Sequence, residues 1–239
     1  MGCEGGEGPD EQAMPTRRNH LSANPSRNDE PLSSLPPRAS SRSSALPPED
    51  RARADFYALL ARLYADVPDQ PLLAAIAAAP AIEGDTPFAT SWNRLVAAST
   101  AMDAEAAAQE YTDLFVGVGK SEVNLHASHW LTGGMMDKPL VNLRSDLAKL
   151  AIERREDVVM VEDHLSALCE TMRLLIAGDE TRFPAPIAAQ RAFFDRHIAS
   201  WVFLCCAAIR DCAIANYYVR VAEFTEQHMA LDRDALAMD

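Results

Sequence analysis

Asp103-Ala104-Glu105-Ala106-Ala107-Ala108-Gln109-Glu110-Tyr111-Thr112-Asp113-Leu114-Phe115-Val116-Gly117 is the stretch that decides the class of fold. Aspartate is a favoured helix cap, and the alanines behind it lose no side-chain entropy on becoming helical. Ala104, Ala107, Ala108, Tyr111 and Phe115 then share one face, with Leu114 at its edge, which is the pattern of a helix with one buried stripe. Gly117 and Gly119 terminate it.

The same period runs outward in both directions. Phe56, Leu59, Leu60, Leu63 and Tyr64 form a stripe that stops at Asp66-Val67-Pro68, because proline disfavours helix at the residue before it. A short alanine-rich helix closes at Pro80, and Thr86-Pro87 supplies a cap and a first-turn proline for a helix through Trp92, Leu95 and Val96. Beyond a loop, Pro139 starts a helix carrying Leu140, Leu143, Leu147 and Leu150. Val161, Leu165, Leu168, Met172 and Leu175 make the next stripe, ending near Gly178. Pro184 or Pro186 opens a segment in which Phe193, Phe194 and Ile198 lead into Trp201, Leu204, Cys205, Ala208 and Cys212. Tyr217, Val221, Phe224, His228 and Leu231 make the last stripe. With almost no strand alternation, the spacing predicts an all-α, compact single-domain bundle of about eight to ten helices over residues 51–239.

Residues 1–50 contain no Phe, Tyr or Trp, and their Pro, Ser, Gly and Arg recur without period. Such a segment buries too little apolar area to offset its ordering entropy, so it is expected to be a disordered tail. Arg17-Arg18 echoes a twin-arginine export signal, but no apolar segment follows it, and an export role is not expected.

The 239 residues carry a formal charge of -13. That field repels phosphate backbones, so nucleic acid is not an expected partner, while a basic peptide is attracted. The longest apolar run, Ile198 to Ile209, ends at Arg210-Asp211, well short of the roughly 20 residues of a spanning helix, so no stable membrane insertion is expected. Cys3, Cys169, Cys205, Cys206 and Cys212 are odd in number and lack a repeated C-x-x-C. They suggest reduced thiols and a cytoplasmic chain rather than a disulfide framework or zinc site.

Few residues carry a chemical signal. Gly119-Lys120-Ser121 resembles the end of a phosphate-binding loop, but Leu114 stands where its first glycine belongs, and a helix rather than a strand precedes it. His126 and His129 have a spacing two metal ligands can use, and with Asp163 and His164 they define one reading, a helical metal-assisted enzyme. In the other reading Asp163 is a first-turn acid favouring the positive end of its helix, and His164 a half-buried imidazole beside the Val161, Leu165, Leu168 stripe.

Glu110, Tyr111, Leu114, Phe115 and Gly117, followed by Asp163-His164, resemble the paired E-Y-x-x-L-F-x-G and E-P-x-D-H signature of the TorD/DmsD/NarJ family of molybdoenzyme maturation chaperones. Ser128-His129-Trp130-Leu131-Thr132-Gly133 and Asp137-Lys138-Pro139-Leu140 are similar to its formate-dehydrogenase-associated branch, and Phe194, His197, Trp201 and Tyr217-Tyr218 match a late F-x-x-H-x-x-W…Y-Y pattern. The resemblance spans roughly residues 51 to 232. Met160-Val161 stand where the family has Glu-Pro, and Lys120 to Asn124 replace a proline-rich loop. The resemblance implies a TorD-like bundle without enzymatic activity, cofactor or metal. Its partners would be the twin-arginine leader and catalytic subunit of a molybdoenzyme, formate dehydrogenase by branch. The leader would be bound through Leu114, Phe115, Asp163 and His164. The sequence does not decide between a monomer and a homodimer.

Overall fold

Helix α1 (Pro48–Ala65) begins with proline in its first turn, Glu49 and Asp50 at its positive end and Arg62 near its negative end. It starts three residues ahead of the boundary that composition draws at 51. The computed structural model describes residues 46–117, 119–134, 137–154 and 159–238, so the expected tail up to residue 45 lies outside the described residues. The described residues belong to one compact unit, Ala45–Asp239.

Nine further α-helices follow among the described residues: α2 (Gln70–Ala77), α3 (Pro87–Ala101), α4 (Ala104–Tyr111), α5 (Ala127–Thr132), α6 (Lys138–Lys149), α7 (Leu165–Ala177), α8 (Ile187–His197), α9 (Val202–Asp211) and α10 (Tyr217–Met238). The all-α class and the count of eight to ten are therefore as the periodicity predicts. Capping is local and legible: Thr86 Oγ1 accepts from Ala89 N at 3.1 Å, and Asp103 Oδ1 accepts from Glu105 N and Ala106 N at 2.9 and 3.1 Å. Trp92 Nε1 donates to Pro80 O at 2.9 Å, which ties the α2–α3 connection to α3.

Helix α1 lies chiefly against α7, and α10 lies across α3, α8 and α9. Between them Tyr57, Tyr64, Tyr217, Tyr218, Phe224 and Trp201 are fully buried. Burying a phenol costs free energy unless its hydroxyl finds a partner, and all four tyrosines do. Tyr57 donates to Asp232 (2.7 Å) and Tyr218 to Leu63 O (2.8 Å), while Tyr64 pairs with Thr225 (3.0 Å) and Tyr217 with Ser99 (2.9 Å). Cys169, Cys205 and Cys206 are buried free thiols in the same core, pushed up in pKa by burial, as expected of small hydrophobes.

Two elements differ from the spacing. The segment from Phe193 to Cys212 breaks into α8 and α9, bent by 51°, at a turn where Trp201 Nε1 donates to His197 O at 2.8 Å. The loop between the glycine motif and Pro139 contains the extra short helix α5. No single helix among the described residues is long and apolar enough to cross a membrane.

Candidate functional site

The helix quoted at the outset does not end regularly. After α4 the chain widens into a π-helical turn, Thr112–Val116, closed by Gly117 N donating to Thr112 O at 2.8 Å. Such turns insert a residue and recur at functional sites. Leu114 O accepts from Val123 N at 3.0 Å, which draws the following loop back onto the turn. Gly117 sits at φ 64°, and a Cβ there would meet the Lys120 carbonyl. Gly117→Ala is therefore expected to cost about 2 kcal/mol, read as a lowered urea midpoint at unchanged slope.

Leu114 has no exposed surface, and Phe115 is half-buried, with ring centroids 5.2 Å from Tyr111, 4.9 Å from Tyr218 and 6.2 Å from Tyr64. In this conformation both are packed into the bundle. The neighbouring Glu110 has a role that spacing alone does not reveal. Its carboxylate accepts from the N–H groups of Asn216 (2.8 Å), Tyr217 (2.9 Å) and Tyr218 (2.8 Å), capping the first turn of α10 from another helix.

The second motif is also a cap, again across elements. Spacing puts Asp163 and His164 in the first turn of a helix that includes Val161; the structure starts α7 only at Leu165, with His164 as its cap. His164 Nδ1 accepts from Ser166 N at 3.2 Å, so the neutral imidazole carries its proton on Nε2. Asp163, 1% exposed, serves α5 instead. Its Oδ2 accepts from Ser128 N (3.0 Å) and Ser128 Oγ (2.5 Å), and its carbonyl accepts from Ala127 N (2.9 Å). With Leu165 N donating to Leu125 O at 2.8 Å, these bonds form a small antiparallel bridge pairing His126 with His164.

The two imidazoles meet edge to face, centroids 4.9 Å apart. Burial, followed by the nearby His126, pushes His164 down to about 3; burial lowers His126 as well, against the attraction of Asp163. His129 is not part of this pair and packs against Trp130 at 5.6 Å. For a metal-assisted reading, His164 Nδ1 is already occupied as a cap, and Asp163 Oδ2 is occupied by Ser128. No group of three or more His, Cys, Asp or Glu among the described residues is placed to hold a metal ion.

Behind the bridge lies a cleft of about 120 Å³ between α5, α6, α7 and α8. Leu131, Pro139, Leu143 and Leu168 form apolar walls, and Asn142, Asp163, Arg196 and His197 are its polar groups. A second hollow of about 190 Å³ adjoins it through Arg196 and His197 and is lined by Phe193 and Leu150. Asp146 joins the two helices there, accepting from Lys149 (2.8 Å), Arg196 (2.8 Å) and His197 (3.0 Å). Lys149, then His197 and Arg196, hold its carboxyl far below the usual range, against the effect of burial. The His of the late F-x-x-H-x-x-W pattern is thus a bracket between α6 and α8.

A family model described as the nitrate reductase delta subunit matches residues 83–207, just over half of the chain. The chain belongs to that family. This delta-subunit family comprises NarJ/TorD-like chaperones, and membership implies a part in molybdoenzyme maturation. The matched span is narrower than the resemblance read from motifs, running from the approach to α3 into α9. It contains the π-helical turn, the His126–His164 bridge and the whole α5–α8 cleft, and it leaves out α1 and α10. The comparison with curated proteins returned no match.

Proposed function

We propose that this chain is a cytoplasmic chaperone that binds the twin-arginine leader of a molybdoenzyme catalytic subunit before cofactor insertion, seating one leader side chain in the α5–α8 cleft. The observation that carries the reading is the cleft itself, a concave apolar surface with an inward-facing carboxylate, inside the span matched by the delta-subunit family. Leader segments pair an apolar stretch with arginines, so leucine walls and the Asp163 carboxylate fit them chemically. Both Ser128 bonds to Asp163 fall on Oδ2, and Oδ1 is the oxygen we assign to an incoming guanidinium. His164 caps the α7 wall of the cleft; Leu114 O takes the Val123 N–H of the loop that leads to the bridge, and Phe115 packs beside it on Tyr111 and Tyr218. The block from Ser128 to Leu140 builds α5 and the start of α6, and its likeness to the formate-dehydrogenase branch makes that enzyme the proposed client.

Calorimetric titration with a formate dehydrogenase leader peptide and a scrambled control tests the reading. Saturable binding of the leader alone is expected, and equal binding of both peptides, or of neither, overturns it. Leu131→Glu, at a cleft residue 41% exposed, is expected to weaken leader binding at least about tenfold without altering the fold. Asp163→Ala is expected to abolish leader binding and to destabilise the protein by about 2 kcal/mol, since it leaves the buried Ser128 N–H and hydroxyl without their acceptor. Unchanged affinity in a folded Asp163→Ala protein removes the carboxylate from the site.

A further inference from the structure

Arg196 stands between two carboxylates. It lines the leader cleft together with Asp163 and the adjoining hollow together with Asp146. Its guanidinium is turned to the hollow, where Nη1 donates to Asp146 Oδ2 at 2.8 Å, while the side chain of Asp163 accepts from Ser128. The Arg196 side chain is 62% exposed, so packing does not fix its direction. An exposed arginine has several staggered rotamers to choose from, and a charge-assisted bond to one acceptor selects among them.

Asp146 is a firm acceptor because other groups hold it in place. Its Oδ1 accepts from Lys149 Nζ at 2.8 Å, and its Oδ2 accepts from His197 Nε2 at 3.0 Å in addition to Arg196. His197 is buried, and its ring centroid lies 5.0 Å from that of Phe193, so the neighbour of Arg196 on α8 is locked by packing. The Asp146 carboxyl, kept far below its usual range chiefly by Lys149, stays ionised well into acid. It lies outside the lining of the leader cleft and bears on that cleft only through Arg196 and His197.

We propose that Asp146 is a positioning residue for leader binding: by holding Arg196 toward α6 it keeps the chain's own guanidinium off Asp163 and leaves that carboxylate open to the client's arginine. The proposal rests on the leader-binding reading of the α5–α8 cleft and deepens it. A leader guanidinium arriving at Asp163 meets Arg196 as a like charge in a space of only about 120 Å³. Paired with Asp146, that charge is neutralised and directed away. Released from Asp146, it becomes a competitor for the same carboxylate, tethered to the cleft wall and acting at an effective concentration of roughly millimolar or more. Selectivity for an incoming cation therefore depends on where the chain's own cation is held.

Calorimetric titration with the formate dehydrogenase leader peptide, run on the unaltered full chain, Asp146→Asn, Arg196→Ala and the double variant, tests the proposal, with circular dichroism following the fold of each. Asp146→Asn keeps an acceptor oxygen for His197 but loses the charge that holds Arg196, and it is expected to bind the leader about tenfold more weakly. Arg196→Ala alone removes a like charge from the cleft and is expected to bind about twofold more tightly or better. The double variant is expected to regain at least the affinity of the unaltered chain. A merely structural role for Asp146 gives the opposite result, because removing Arg196 takes away a further bond between α6 and α8 and does not repair a distorted cleft. Undiminished binding to Asp146→Asn, a double variant as weak as Asp146→Asn, or weakened binding to Arg196→Ala overturns the proposal and leaves the leader reading standing. Absence of leader binding to the unaltered chain overturns both.

Discussion

Glu110→Ala is expected to destabilise the protein by about 2–4 kcal/mol, lowering its melting temperature by about 5–10 °C. The carboxylate is the shared acceptor for three consecutive backbone donors, Asn216, Tyr217 and Tyr218. Those groups belong to the end of α10 that also carries Tyr217 and Tyr218 into the core, so fraying there disturbs packing as well as hydrogen bonding. A charged acceptor at a helix N-terminus is worth more than a neutral one, through both its bonds and the helix dipole. Glu110→Gln, which retains one carbonyl oxygen, is expected to fall between Ala and the unaltered protein. Urea titration of both variants checks the order. A loss below about 1 kcal/mol for the alanine variant shows that water replaces the carboxylate at no great cost.

Acid is expected to unfold this protein well before its carboxylates titrate. His164 and His228 are held neutral by burial, at about 3 and about 4, whereas an unfolded chain protonates them near 6.5. Their contribution to stability is complete above about pH 6.5 and is lost progressively as pH falls toward the folded values, because the unfolded state binds more protons throughout that window. Two such groups give a slope of about 2.7 kcal/mol per pH unit between pH 6 and 4.5, so roughly 4 kcal/mol is gone by pH 5. His126 and His197, both also lowered chiefly by burial, act in the same direction. Urea midpoints measured from pH 7.5 to 5 check the slope. His164→Asn keeps a capping side chain on α7 and removes one titrating group, and it is expected to flatten the dependence by about one proton. A slope that His164→Asn leaves untouched assigns the acid sensitivity elsewhere.

The helices were legible because their causes are local. Thr86, Asp103 and Pro139 announce helix starts within a few residues of where they act, and Gly117 and Gly178, at φ 64° and 69°, stand where left-handed backbone ends a segment. The stripes on α1, α6 and α7 bury most of the leucines that their spacing selects, with Leu59 and Leu150 left half-buried. The short helix α5 escaped this kind of reading. Ser128 gives it no strong start signal of its own, and its cap comes from Asp163, 35 positions along the chain. The break between α8 and α9 escaped for a similar reason: both sides are apolar, and periodicity cannot register a turn inside a buried run.

Sequence by itself determined the class of fold, the acidic character and the family motifs, since composition, capping and hydrophobic period depend on neighbours in the chain. Only the tertiary structure decided what the motif residues do. Glu110 caps a helix 106 positions away, Asp163 caps α5 rather than the helix it precedes, and the partner of His164 is His126. Polar groups taken out of water must be paired wherever a partner can be brought, and which partner arrives is set by how the helices pack, which no local pattern encodes.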